Sequence, residues 1–128
     1  MEKFNQWNTV KQNTHQKKER VFFHERDVWF CRVGQNVGFE QNGKGENFLR
    51  PIIIIKKFNN EVFLGVPLTS KKKEGIFYSF LSGINNTDNY AILSQIKLLD
   101  AKRLEYRAGM AKQEEFERLK KDLIRLIK

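Results

Sequence analysis

Residues 36–70 read NVGFEQNGKGENFLRPIIIIKKFNNEVFLGVPLTS. This stretch predicts a polar loop, a strand over 48–57, a tight turn and a second strand over 62–68, paired antiparallel with the first. The run Ile52–Ile55 carries apolar side chains to both faces of a strand, so that strand is predicted to be central and buried. Pro51 has no amide hydrogen to donate, which places it at the start of the strand.

The remaining chain alternates short apolar runs with Gly and Asn turns. Further strands are predicted at residues 27–33, 76–81 and 90–94, with a continuation of the last over 95–98 after a bend. The loop at 34–47 holds four glycines, and turn residues fill 85–89. Short strands closed by a helix predict a mainly β fold, a small antiparallel barrel.

Two helices are predicted near the C-terminus. Asp100 is a good N-cap for a short helix over 101–107, which Gly109 would end. The clearest helix covers 111–128, and its apolar face comprises Phe116, Leu119, Leu123, Leu126 and Ile127. This helix is expected to pack on the barrel or across a dimer.

Length and charge restrict the class of protein. The chain has 128 residues, a net charge of +9 and a pI near 9.8, which fits one domain with nucleic acid or an acidic protein as partner. Cys31 is the only cysteine, so no internal disulfide forms and a cytoplasmic location is the simplest interpretation. No apolar run approaches the ~18 residues that span a bilayer, and we expect no membrane partner.

The first 25 residues differ from the rest. They are polar, and Phe4, Trp7 and Val10 recur at helical spacing, which predicts either a short amphipathic helix or a disordered arm. We therefore divide the chain into an N-terminal extension at 1–25 and a β domain at 26–128.

A possible phosphodiester site follows from the strand ends. Glu40 lies in the glycine-rich loop, Arg50 where that loop enters the isoleucine strand, and Thr69 and Ser70 where the next strand ends. A carboxylate, a guanidinium and hydroxyls would then meet at one edge of the sheet. His15 and His24 show no metal-ligand spacing, so no metal and no cofactor are expected.

The order of these motifs resembles the MazF/PemK family of toxin endoribonucleases from Arg26 to the C-terminus. The pieces that carry the resemblance are DVWFCRVG at 27–34, NVGFEQ at 36–41, RP at 50–51, PLTS at 67–70, and AILSQIK at 91–97 followed by AKRL at 101–104. The resemblance implies an SH3-like barrel, a homodimer, metal-independent cleavage of single-stranded RNA as an mRNA interferase, and inhibition by a cognate antitoxin.

The resemblance also implies roles for three residues. Glu40 matches the general base, Arg50 the residue that stabilises the transition state and assists the leaving 5′-oxygen, and Thr69 a hydroxyl donor to the phosphate. The implied products carry a 2′,3′-cyclic phosphate and a 5′-hydroxyl. Because an arginine has a pKa above ~12, we assign Arg50 first as a bidentate phosphate clamp and only second as an acid.

Other residues are candidates for RNA contacts: Phe39, Gln41, Ser70, Lys71, Lys72 and Gln95. Gln41 either contacts RNA or orders its loop. The tract Lys71–Lys73 either steers the RNA backbone or is a solvated loop. Phe39 or Tyr78 could stack on a base. The segment between Gln41 and Arg50 is longer than in compact family members, so their sequence preference does not transfer.

Two alternatives remain at this stage. One is a binding protein on the same fold, similar to the gyrase-poisoning CcdB toxins, which would not need Glu40, Arg50 and Thr69 together. The other is a catalytically inactive RNA-binding module.

Overall fold

The computed structural model describes residues 21–33 and 49–128. Within them lie seven strands, two 3-10 turns and one α-helix. The strands are β1 (Asp27–Arg32), β2 (Leu49–Lys57), β3 (Val62–Thr69), β4 (Tyr78–Ile84), β5 (Thr87–Ile92), β6 (Lys97–Asp100) and β7 (Leu104–Met110). The 3-10 turns are Leu93–Gln95 and Ala101–Arg103, and the helix α1 is Gln113–Ile127. The predicted helix at 1–18 and loop at 34–47 lie outside the described residues.

The strands form one curled antiparallel sheet. Its order is β4-β5-β3-β2-β1-β7, and β6 pairs with the other half of β3. The sheet curls far enough for its two end strands, β4 and β7, to come into contact. The predicted fold class, a small antiparallel β barrel with a C-terminal helix, is confirmed.

Strand β2 is the centre of this sheet, as its sequence predicts. All four isoleucines of Ile52–Ile55 are buried, and they alternate between two hydrophobic clusters. Ile53 and Ile55 join the cluster under α1, which includes Phe116 and Leu119, whereas Ile52 and Ile54 join a second cluster. The second cluster comprises Phe23, Trp29, Cys31, Val33, Phe63, Leu99, Ala101 and Leu104 besides those two isoleucines. Burial of both faces therefore follows from one strand that separates two cores.

Helix α1 lies within the range predicted for it and packs as predicted on the barrel. Its buried side chains are Phe116, Leu119 and Leu123. Polar contacts also hold it to β4: among them, the Ser79 hydroxyl donates to an Asp122 carboxylate oxygen at 3.0 Å, and the Ser82 amide donates to Glu115 at 2.9 Å. None of the described residues forms a helix that is long and apolar enough to cross a membrane.

The short helix predicted over 101–107 is wrong. Asp100 does cap a turn, since its carboxylate accepts the Lys102 amide at 2.7 Å, but the turn ends at Arg103. Residues Leu104–Met110 then form β7, which pairs antiparallel with β1. Leu104 is buried in the second cluster. Pairing with β1 supplies the backbone hydrogen bonds that a single helical turn would have supplied, and tertiary contacts decide the outcome.

The hairpin between β4 and β5 also differs from its prediction. Strand β4 begins at Tyr78, after Ile76 and Phe77, and runs on to Ile84. The predicted turn covers 85–89, but the observed turn consists of Asn85 and Asn86 alone. Their φ angles are +51° and +62°. Asparagine tolerates this left-handed conformation, which a two-residue hairpin turn requires. A tight turn lets β5 start at Thr87, ahead of the predicted strand at 90–94.

Candidate active site

The register of β2 and β3 brings Arg50 and Thr69 to the same place. Ile52 pairs with Pro67, and in an antiparallel ladder the positions two residues outward on each strand lie opposite one another. Those positions are Arg50 and Thr69. Both line one surface pocket. Residues separated along the chain by a whole strand and turn therefore present a guanidinium and a hydroxyl to a common space.

The Arg50 side chain is held in position by the sheet. It is only 4% exposed, and its Nη2 donates to the Leu68 carbonyl oxygen at 3.0 Å. Burial removes water from the guanidinium and lowers the pKa of Arg50 from its ordinary value, because desolvation disfavours the charged form. The guanidinium is thus a positively charged group in a fixed position on the pocket wall, where an incoming anion can bind it.

Thr69 is also buried, with 6% of its surface exposed. Its Oγ1 accepts a hydrogen bond from the Lys71 amide at 3.2 Å. A threonine hydroxyl has one donor and two acceptor positions, so this bond fixes the oxygen and leaves the O–H able to donate. The turn after β3 therefore orients the hydroxyl.

The pocket has a volume of about 230 Å³. An apolar part is formed by Phe30, Pro51, Leu68, Ile84 and Ala108, and a polar part by Arg50, Thr69, Ser70, Asn85, Thr87 and Asn89. Strands β1 to β5 and β7 contribute to it, together with Asn85 in the β4–β5 turn and Ser70 after β3. Such a pocket can take a small group that has both a planar apolar body and a negative charge.

The structure gathers some of the residues predicted for the site and separates others. Arg50, Thr69 and Ser70 line the pocket together. Lys71 and Lys72 are exposed in the loop just beyond Thr69 and do not line it.

Gln95 lies at the end of a 3-10 turn, and Tyr78 lies beside α1 in a different groove. Glu40, Gln41 and Phe39 fall outside the described residues.

Sequence reasoning did not single out Phe30, Asn85, Thr87 or Asn89, which also line the pocket. The sequence predicts only a turn over residues 85–89. The turn signal itself was correct, but the approach of this hairpin to Arg50 depends on pairing between β3 and β5, which joins Leu68 to Ala91 and Thr69 to Tyr90.

The end of β1 and the start of β2 lie side by side next to Arg50. In the β1–β2 ladder Arg32 pairs with Leu49, and Cys31 pairs with Arg50. The connection between β1 and β2 therefore leaves the sheet and returns to it at the end where Arg50 lies. As for metal ligands, residues 21–33 and 49–128 contain no group of three or more His, Cys, Asp or Glu side chains suited to holding an ion.

These features define a class before any comparison: a small curled β barrel with a terminal helix and a cationic, hydroxyl-lined pocket at one strand end. Comparison with protein families then identifies the family. The sequence model of the PemK-like, MazF-like toxins of type II toxin–antitoxin systems matches residues 24–127. The chain belongs to this toxin family, as its motifs predicted. No curated protein sequence matches it significantly.

Solved structures show the same fold at low identity. MazF from Deinococcus radiodurans is 16% identical with a TM-score of 0.68, over 84% of this chain and 97% of that one. A mycobacterial endoribonuclease in complex with its cognate antitoxin is 14% identical with a TM-score of 0.63, over 83% and 95%. The Mycobacterium tuberculosis toxin MazF-mt6 is 10% identical with a TM-score of 0.61, over 80% and 96%.

Proposed function

We propose that this toxin is an endoribonuclease that cleaves single-stranded RNA without a metal ion. RNA carries its own nucleophile, the 2′-hydroxyl, so the protein has to deprotonate it, stabilise the charge that develops on the phosphate, and hold the reacting atoms in line. The products are a 2′,3′-cyclic phosphate and a 5′-hydroxyl. The observation that carries the proposal is the convergence of Arg50 and Thr69 on one pocket.

Arg50 is the anion-stabilising residue in this proposal. Its guanidinium is anchored through Nη2 to the Leu68 carbonyl and so is preorganised before RNA binds. Electrostatic stabilisation is most effective when the donors need no rearrangement at the moment of reaction. Because its pKa is lowered, Arg50 is also a stronger acid than an exposed arginine and can more readily donate a proton to the leaving 5′-oxygen.

Thr69 donates its O–H to a non-bridging phosphate oxygen. The Lys71 amide already occupies an acceptor position of Oγ1, which favours the rotamer in which the hydroxyl hydrogen points away from that turn. Ser70 lies next in the chain and lines the same pocket, where it offers a second hydroxyl. Lys71 and Lys72 are exposed beyond it and attract the RNA backbone over a longer distance.

Glu40 is proposed as the general base because NVGFEQ at 36–41 resembles the family's motif for that residue. The described residues nearest to it in the chain are Val33 and Leu49, and Leu49 precedes Arg50 in β2. Gln41 and Phe39 are proposed to contact RNA from the same segment, and Gln95 from the 3-10 turn between β5 and β6. A carboxylate is a suitable base for the 2′-hydroxyl because it is ionised at neutral pH.

The proposed partners are a cognate antitoxin and a second copy of the chain. The family is defined by toxins of toxin–antitoxin pairs, and one structural neighbour is an endoribonuclease bound to its cognate antitoxin. The net charge of +9 fits an acidic antitoxin segment. We propose that the toxin acts as a cytoplasmic homodimer.

The test is a cleavage assay on mixed-sequence single-stranded RNA in the presence of a chelator. The parent should cleave, and Arg50→Met and Glu40→Gln should each lose about 10²- to 10³-fold in rate, as expected when a transition-state donor or base is removed. Arg118→Met is the matched control, because Arg118 also donates to a backbone carbonyl, that of Phe80, but lies on α1 outside the pocket.

Three outcomes would contradict the proposal. Binding of RNA by the parent without cleavage would support an inactive RNA-binding module. Trapping of gyrase on DNA without RNA cleavage would support the CcdB-like alternative. Cleavage that disappears with chelator and returns with a divalent ion would show that the reaction needs a metal.

A further inference from the structure

The β4–β5 hairpin forms a wall of the pocket that the reaction chemistry does not use. Asn85, Thr87 and Asn89 line the pocket together with Arg50 and Thr69. Their place there follows from the short β3–β5 ladder, which pairs Thr69 with Tyr90. Three polar residues of a separate hairpin therefore share the pocket with Arg50 and Thr69, and cleavage by Arg50, Thr69 and a base requires none of them.

The polar groups of this wall are held by the hairpin itself. The side chain of Asn89 is 7% exposed, and its Nδ2 donates to the Thr87 carbonyl at 3.1 Å. The Thr87 hydroxyl donates to the Asn85 carbonyl at 3.4 Å, and Asp88 accepts the Gly83 amide at 3.2 Å. A carboxamide has two N–H donors and an acceptor oxygen. Asn89 thus has a fixed orientation with a donor and an acceptor still to be matched.

Asn85 adds a second carboxamide at the rim. It is exposed and adopts a left-handed backbone conformation with φ of +51°. Asparagine side chains recognise nucleobase edges because they present a donor and an acceptor side by side, and unpaired RNA bases expose their edges to such contacts. The hairpin therefore carries the chemistry of base recognition next to a site for a phosphate.

The apolar part of the pocket suits the flat body of a base. Phe30, Pro51 and Ile84 contribute to it, and the Phe30 ring is steadied by stacking on Tyr106 with 4.9 Å between ring centroids and 25° between planes. The volume of about 230 Å³ lies below the roughly 300–1,000 Å³ of pockets for drug-sized ligands. It fits one base rather than several stacked nucleotides.

We infer that Asn85, Thr87 and Asn89 form a specificity subsite that recognises one unpaired RNA base adjacent to the scissile phosphate. The inference rests on the proposed function and adds to it the residues that select a base. Asn85 recognises the edge of the base at the rim, and Asn89 recognises it from within the pocket. Thr87 holds the hairpin in place through its bonds to the Asn85 backbone carbonyl and the Asn89 carboxamide.

The hairpin turn offers a matched pair of variants. Asn85→Gly removes the carboxamide at the pocket rim, whereas Asn86→Gly removes one that does not line the pocket. Both asparagines have positive φ, a conformation that glycine adopts readily, so the turn is retained in each variant. Cleavage of a pool of RNAs randomised around the cleaved bond then gives the base preference at each position.

Asn85→Gly should reduce discrimination at one position by about 5- to 150-fold, the range expected for losing a good amide–base contact. The preferences at the other positions should persist, and Asn86→Gly should match the parent. Unchanged base preference in Asn85→Gly would overturn the inference, as would an equal change in both variants.

A binding measurement separates this inference from the proposed function. The probe is a single-stranded RNA whose 2′-hydroxyl at the cleaved position is replaced by hydrogen. Binding with a base preference that Asn85→Gly weakens, in a parent that does not cleave ordinary RNA, would uphold the subsite and reject the enzyme. Cleavage by the parent with the same base preference in Asn85→Gly would uphold the enzyme and reject the subsite. Absence of both RNA binding and RNA cleavage in the parent would reject both proposals.

Discussion

Gly65 and Ile52 approach each other so closely that a β-carbon on Gly65 would lie 2.6 Å from the Cγ2 methyl of Ile52. The ring of Phe63 would lie 3.1 Å from the same β-carbon. Both neighbours are fully buried, so neither can swing aside. Strands β2 and β3 can pack this tightly only because position 65 lacks a side chain.

Gly65→Ala should therefore destabilise the fold. Forcing a methyl group into a packed core costs about 1–3 kcal/mol, measured as a lower midpoint of urea unfolding. Gly109→Ala is the control, since a β-carbon there meets its nearest atoms at 3.8 Å. That substitution should raise the free energy of unfolding by about 0.4–1 kcal/mol, because alanine reduces the conformational entropy of the unfolded chain. Equal midpoints for the parent and Gly65→Ala would contradict the packing described.

Arg50→Met should separate activity from stability. Burial of the guanidinium lowers the pKa of Arg50, so at neutral pH the folded state holds its charge at a cost that an apolar side chain of similar length avoids. We expect cleavage to be lost while the midpoint of thermal unfolding stays the same or rises. A drop of several degrees would mean that the bond to the Leu68 carbonyl contributes more to the fold than the buried charge costs.

The Cys31 thiol should make stability fall at alkaline pH. Burial raises the pKa of Cys31 above its ordinary value of 9.0, and nearby Arg103 offsets this only in part. Below that ordinary value the thiol is protonated in both states. Above it, only the unfolded state loses the proton, so the free energy of unfolding decreases by up to ~1.4 kcal/mol per pH unit.

The difference in unfolding free energy between the parent and Cys31→Ala isolates this effect from lysine and tyrosine titration. It should be constant at neutral pH and shrink above pH 9. A difference that does not change across this range would show that the thiol reaches solvent.

Asp27 should contribute more to stability than the shorter ion pair of Glu105. The Asp27 carboxylate is buried, accepts the His24 amide at 2.9 Å and pairs with Arg107 at 3.1 Å. Asp27→Ala leaves a backbone donor without its acceptor, at a cost of about 1–3 kcal/mol. Glu105 meets Arg32 at 2.8 Å, but both side chains are partly exposed, so Glu105→Ala should cost only about 0–1 kcal/mol. Chemical denaturation of both variants tests the order, and equal losses would contradict it.

The local hydrophobic pattern was sufficient to predict the strand β2 and the helix α1. The isoleucine run predicts a strand buried on both faces, and the spacing of Phe116, Leu119 and Leu123 predicts the terminal helix. The positions of Arg50 and Thr69 at strand ends were also predictable, because each lies in a recognisable strand-end motif. The motifs do not indicate how far apart these two residues lie in the fold. Only the β2–β3 register shows that they share a pocket.

The errors arose where a distant partner decides the structure. Residues 104–110 have good helix formers at their start, yet they pair with β1 from the opposite end of the chain. The polar sequence around Asn89 predicts a turn and gives no sign that Asn89 is buried. Its burial in the pocket depends on β3, about twenty residues earlier, and nothing near Asn89 in the chain indicates that contact.

The division of Ile52–Ile55 between two clusters has a consequence for how the protein loses its structure. Each cluster takes two isoleucines from the same four residues, so detaching β2 would hydrate both cores at once. We therefore expect the two cores to melt together, which favours an all-or-none transition. A protein that unfolds in this way exposes both cores to proteases at once, and few half-unfolded, aggregation-prone species should accumulate during its degradation.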